Sequence, residues 1–278
     1  MEESLREEAR QCLREFSSDV YKIVDPWQSS YKREMDRGMG GQQIQMELCP
    51  GGRICNTRSR QCFLFSGSVI NRELGITVAH ALDLGDEIEI QFESDRAAAA
   101  HEKIVGRCRE TFDTLQRQDG TMLTADLALL ELNTERCSVT NEVCWPQRPS
   151  KALQLKIYKE RRIPDDTNVI ILDQRGHFQK GRIKTGSLTD GGSGLYDVLG
   201  IGKENEEGSA TQPGDSGALV MSLPNSENDV IYVYGIVLGT CTTHNGKSSF
   251  TIANSLWKVI HEISTSEQYT GKLAIDFA

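Results

Sequence analysis

The sequence predicts an all-β protein with a helix at each end. Three observations carry that expectation. From residue 62 onward, short apolar runs recur, some alternating with period two. Turn residues punctuate them, with 25 glycines among 278 residues. No strand alternates with a long amphipathic helix, as βαβ units require. Many short strands of this kind build barrels or a sandwich.

The elements follow in order. Residues 1 to about 24 read as helix, because Leu5, Ala9, Cys12, Leu13 and Phe16 recur near helical spacing. Pro26 ends the pattern. Residues 29 to 61 are polar and glycine-bearing, and read as an arm or a linker. "CFLFSGSVI", "LGITVAHAL" and "EIEIQFES" then read as strands, followed by "MLTADLALLEL". Beyond the turn-rich "CWPQRPS" come "LQLKIY", "NVIILDQ", "KGRIKTGSL", "GLYDVLGIG", "SGALVMSL" and "VIYVYGIVLG". "TDGGSG" reads as a loop and matches no phosphate-binding pattern. "SLWKVIHEIS" closes the chain with helical spacing at Leu256, Val259, Ile260 and Ile263. The expected division is an arm over 1–40, one unit over 41–150 and a second over 151–278.

Composition narrows the function. A formal charge of −9 argues against nucleic acid as a partner. The basic "YKERRIP" is flanked by acidic residues and reads as solvated surface. No run reaches the ~20 apolar residues that span a bilayer, so no membrane partner is expected. The N-terminal residues hold no apolar signal core, so the chain as read is expected to be cytoplasmic. Eight cysteines are then expected as free thiols, with Cys49 and Cys55 the pair to form in an oxidising compartment. No cysteine or histidine spacing suggests a metal.

The chemistry concentrates in "TQPGDSGALV" over 211–220, where a Gly-Asp-Ser-Gly turn runs into an apolar strand. Ser216 is either part of an ordinary turn or a nucleophile. A serine hydroxyl is a weak nucleophile unless a base takes its proton and a third group orients that base. His80 ends the strand "ITVAHAL", and Asp126 opens the apolar run "DLALLEL". A carboxylate there is costly unless it is paired. From 80 to 126 is 46 residues and from 126 to 216 is 90. The best-known Ser-His-Asp template has the same order, at roughly 45 and roughly 93.

On these residues the sequence resembles the trypsin/chymotrypsin-like serine proteases. "TVAHA", "DLALLEL" and "GDSGALV" resemble the family's histidine, aspartate and serine boxes. "GSVI" (67–70) resembles the strand thirteen residues before the histidine, and "YGIVLG" (234–239) the strand lining the specificity pocket. The likeness covers about residues 60 to 265. It implies two packed antiparallel six-stranded β-barrels, with the N-terminal helical arm and C-terminal helix outside them. It implies a serine endopeptidase in which Ser216 attacks, His80 moves the proton and Asp126 holds the imidazole. The N–H groups of Gly214 and Ser216 would form the oxyanion hole. No cofactor or metal is implied, and the partner is a protein or peptide substrate. Ala210 falls at the base of the specificity pocket, where trypsin-like members carry an acid. Thr211, Leu238, Gly239, Thr240 and Ser248 flank it, so an apolar or small neutral side chain is expected. His244, near the rim, reads as a surface-loop residue, and His101, His177 and His261 read as ordinary structural residues.

Two departures stand out. Ala81 and Gln212 replace cysteines of the secreted members. The chain also lacks the Ile-Val-Gly-Gly that cleavage frees to pair with the aspartate before the nucleophile, here Asp215. One expectation is that Asp215 is satisfied within the intact chain. The other is that the arm inhibits until cut after Lys22 or Arg37. The alternatives to an active protease are a module of that fold that binds without turnover, and an esterase. The acidic arm is the segment expected to meet a partner or sensor domain.

Overall fold

A computed structural model describes residues 46–69, 74–90, 104–139, 142–144, 152–160, 162–204, 208–224, 230–242 and 249–265. The helix expected over 1–24, His101, His244 and Ser248 lie outside the described residues.

Alternation drives the first sheet. Along β7 (Ile104–Gln116), Val105, Cys108, Phe112 and Leu115 are buried while Arg107, Arg109 and Asp113 face water. This strand is absent from the sequence reading, because its charged outward positions dilute the apolar signal. Beside it β8 (Met122–Leu132) is buried nearly throughout. The sheet runs β3-β2-β6-β7-β8-β5-β4. Its other members are β2 (Arg53–Asn56), β3 (Cys62–Leu64), β4 (Gly67–Val69), β5 (Leu74–Thr77) and β6 (Glu87–Ile90). Two strands therefore fall within 29–61, read as a linker. β1 (Met46–Leu48) pairs in parallel with β9 (Cys137–Val139). A turn at Pro50–Gly51 precedes β2, which buries Ile54, Cys55 and Asn56. The polar residues there make turns rather than a tether.

Cys55 pairs with Cys62, not with Cys49. The two stand directly opposite in the β2–β3 register, 4.1 Å apart at Cα. Among the described residues Cys108, Cys137 and Cys241 are free thiols.

The second sheet closes on itself. Its order is β10-β11-β16-β15-β12-β13-β14-β17, and β16 also pairs with β17. The closed ring holds six strands: β12 (Asn168–Leu172), β13 (Phe178–Asp190), β14 (Leu195–Lys203), β15 (Leu219–Ser222), β16 (Val230–Thr242) and β17 (Ser249–Ala253). β10 (Glu142–Cys144) and β11 (Ala152–Ile157) extend it outward. α1 (Leu256–Thr265) buries Leu256, Val259, Ile260 and Ile263, the four positions that its spacing selects. It packs on β16 and on β7 and β8, so it bridges the two sheets. One apolar cluster runs through both barrels from Ile54 to Ile263. Among the described residues no helix is long and apolar enough to cross a membrane.

Candidate active site

A β-bulge sets the acid. In the β7–β8 ladder Phe112 opposes Leu127 and Thr114 opposes Thr124, so Ala125 and Asp126 together oppose Asp113. Asp126 takes a left-handed φ of 40°, which aspartate tolerates better than most residues. The kink turns its carboxylate onto the chain that carries His80. Oδ1 accepts the Ala79 and His80 N–H groups at 2.9 and 2.8 Å. Oδ2 lies 2.7 Å from His80 Nδ1. Both side chains are almost fully buried. Burial works against the charge on each partner, yet the interaction prevails on both. The His80 pKa stands above 6.5 through Asp126's charge and hydrogen bond, and Asp126 is held below 3.8. The pair is an imidazole with a fixed face, whose Nδ1 is engaged and whose Nε2 is left for chemistry.

The serine turn is built from the second barrel. Gly214 has φ 95° and Gly217 has φ 89°, both in the left-handed region that favours glycine. At Gly217 an added Cβ would stand 2.1 Å from the Leu64 carbonyl oxygen. Among the described residues neither the Gly214 nor the Ser216 N–H has an acceptor. Main-chain donors left open in a tight turn are the kind of group that receives an anion in other sites. Ser216 Oγ donates to the Leu238 carbonyl at 3.2 Å.

Shared residues join the two halves. Leu64 N–H donates to the Ser216 carbonyl, and the Leu64 carbonyl accepts from Thr77 Oγ1, three residues before His80. Ser66 Oγ donates to the Gly217 carbonyl at 2.7 Å. Asn254, wholly buried, donates from Nδ2 to the Ala125 carbonyl and accepts the Ile236 N–H. It therefore ties the residue before Asp126 to the strand that receives Ser216 Oγ.

Asp215, before the serine, accepts the Gln174 N–H at Oδ1 and the Gln212 N–H at Oδ2, at 2.9 and 2.8 Å. Burial pushes its pKa up to about 6 against these two bonds.

Beside the turn lies a knot of hydroxyls. Ser209 Oγ is within 3.4 Å of Thr211 Oγ1, 3.1 Å of Thr240 Oγ1 and 2.8 Å of Thr251 Oγ1. The Thr211 and Thr251 hydroxyls are also 2.8 Å apart. Ala210 and Leu238 are buried next to it, and an added Cβ on Gly239 would meet nothing within 4 Å.

No family model matches the chain, and no curated protein does. Solved structures do. A glutamic-acid-specific serine protease that uses a histidine triad in substrate binding superposes with a TM-score of 0.52 at 13% identity. It covers 77% of this chain and 96% of its own. Protease A of Thermobifida fusca gives 0.50 at 11%, over 77% and 95%. The chain has the chymotrypsin-like double-barrel fold. In that fold His80 and Asp126 stand on the first barrel, and the serine turn precedes β15 in the second.

The sequence reading had missed Asn254, Ser66, Thr77, Ser209 and Gln174. The signal for the first three was a small polar residue inside an apolar run, as in "FLFSGSV", "GITVAH" and "FTIANSL". Ser209 and Gln174 sit in turns where polar residues are ordinary, and nothing in the sequence separates them from their neighbours.

Proposed function

We propose that this chain is a serine endopeptidase working through an acyl-enzyme intermediate. The observation that carries the reading is the buried His80–Asp126 pair, whose strand is joined through Leu64 to a serine turn in which the Gly214 and Ser216 N–H groups are open. In this mechanism Ser216 Oγ leaves the Leu238 carbonyl, its hydrogen-bond partner in the resting structure, and gives its proton to His80 Nε2. His80 takes the hydroxyl proton as Oγ bonds to the substrate carbonyl carbon. Its charge is stabilised by Asp126, which stays ionised. The oxygen, now negative, is received by the Gly214 and Ser216 N–H groups, each donor worth about 3 kcal/mol in such sites. His80 returns the proton to the leaving amine, and water repeats the cycle to free Ser216.

The hydroxyl knot around Ser209 supplies no charge to the side chain bound beside the serine turn. Cleavage after an uncharged residue is the reading, and after Arg or Lys it is not. The test is incubation of the full-length protein with a proteome-derived peptide library, with Ser216→Ala as control. New termini following uncharged residues, absent with Ser216→Ala, are expected. No cleavage, or cleavage that survives the substitution, overturns the reading.

A further inference from the structure

The hairpin turn 173–177 joins β12 to β13, and it is built more firmly than a connection needs. Asp173 Oδ1 accepts the N–H groups of Arg175 and His177 at 2.9 and 2.8 Å. Its Oδ2 accepts Gln179 Nε2 at 2.8 Å, and Gly176 closes the turn at φ 71°. The turn presents Gln174 to residues 212–215 through three contacts. The Gln174 N–H donates to Asp215 Oδ1. Gln174 Nε2 donates to the Pro213 carbonyl at 2.8 Å. Its amide also fills the space a Cβ on Gly214 would take, with Oε1 2.6 Å from that point.

The second contact has a geometric consequence. The Pro213 carbonyl and the Gly214 N–H belong to one planar peptide unit, and in a trans peptide they point in opposite directions. A donor that holds the oxygen therefore aims the N–H. Gly214, with no side chain of its own, has little else to prevent that peptide from turning over.

We propose that Gln174 is the positioning residue of the oxyanion turn, and that the 173–177 turn is a latch holding it in the unprocessed chain. The proposal rests on the reading of Ser216 as nucleophile. The latch engages Pro213 and Asp215 with groups from inside the chain, so a freed amino terminus has no unfilled role at Asp215.

The test compares wild type, Gln174→Ala and Gln174→Met, the last retaining bulk over Gly214 without the donor. Each is made full-length, and intact mass verifies that Met1 is still present. The probe is an alkyl fluorophosphonate, whose labelling rate separates into a binding constant and a maximal rate. The expected result is a maximal rate at least about tenfold lower in both variants, with the binding constant within about twofold and the melting temperature unchanged. Labelling of both variants at the wild-type rate overturns the proposal. A second readout does not depend on turnover. In a Ser216→Ala background, Gln174→Met should move the Gly214 amide resonance and leave that of Gly235 in place. An unmoved Gly214 resonance overturns the latch. A moved resonance in a protein whose wild type never labels keeps the latch and removes the protease reading instead.

Discussion

At the scale of single residues the account turns on two carboxylates, Asp126 and Asp215, and one imidazole, His80. Asp126→Asn keeps the shape of the bulge but puts an amide opposite Nδ1, which favours the wrong tautomer. We expect fluorophosphonate labelling to slow by about 10³- to 10⁴-fold while the melting temperature shifts little. In the proposed mechanism neutral His80 is the base, so the labelling rate should rise with pH through a value above 6.5. The same shift sets a stability sign. The folded chain holds the His80 proton more tightly than the unfolded one, a contribution complete below 6.5 and lost as pH climbs through the folded value. Asp126, held below 3.8, contributes above 3.8 and loses that contribution as pH falls through its folded value. These describe one ion pair and count once. Asp215 has the opposite sign from Asp126. Its pKa rises to about 6, so the native state binds a proton that the unfolded chain has released. Stability should fall by up to about 3 kcal/mol as pH rises from 3.8 to about 6, and Asp215→Asn should flatten that slope in urea titrations. The His80–Asp126 pairing was legible in the sequence because each partner breaks a pattern: a ring after a β-branched strand and an acid opening an apolar run. The Gln174 partner of Asp215 was not, since it lies 41 positions away, while Gln212 lies only three away.

At the scale of elements, the strands are aimed by small features with long-range partners. The bulge at Ala125–Asp126 was invisible in "MLTADLALLEL", because an extra residue in one strand shows only against the register of its partner. β7 and β17 were missed for opposite reasons. β7 carries four charged residues among thirteen, and the short "SFTIA" of β17 follows a polar stretch. Asn254→Ala tests whether such a feature carries the fold. It leaves the Ala125 carbonyl and the Ile236 N–H without their buried partner, which costs about 2–4 kcal/mol in denaturant unfolding. A loss below about 0.5 kcal/mol would mean that Asn254 is packing filler and does not tie the barrels. Gly217→Ala should be worse, since the strain of φ 89° adds to a collision with the Leu64 backbone. A soluble Gly217→Ala protein with wild-type stability contradicts the close approach of β3 to the serine turn.

At the scale of the molecule, two barrels meet along β8, β14, β16 and α1. An ion triad secures the same junction. Asp197, itself at φ 51°, pairs with Arg117 from the β7–β8 turn and with Lys258 of α1, the latter at 2.8 Å. Burial raises the Asp197 pKa, and Lys258, Ser187 and Arg117 together bring it below 3.8. Removing one member of a largely buried cluster strands the others, so Asp197→Ala should cost about 3 kcal/mol, read by thermal unfolding. The double-barrel architecture was legible from strand count, turn punctuation and motif order. The linker reading over 46–61 and the Cys49–Cys55 pairing were not sound, because both depend on register, and register is set by partners elsewhere in the sheet. The most direct measurement of the central claim is intact-mass detection of a fluorophosphonate adduct on the full-length chain, beside Ser216→Ala and His80→Ala. The account predicts one adduct on wild type and none on either variant. An unlabelled wild type, or an adduct that persists in Ser216→Ala, contradicts it.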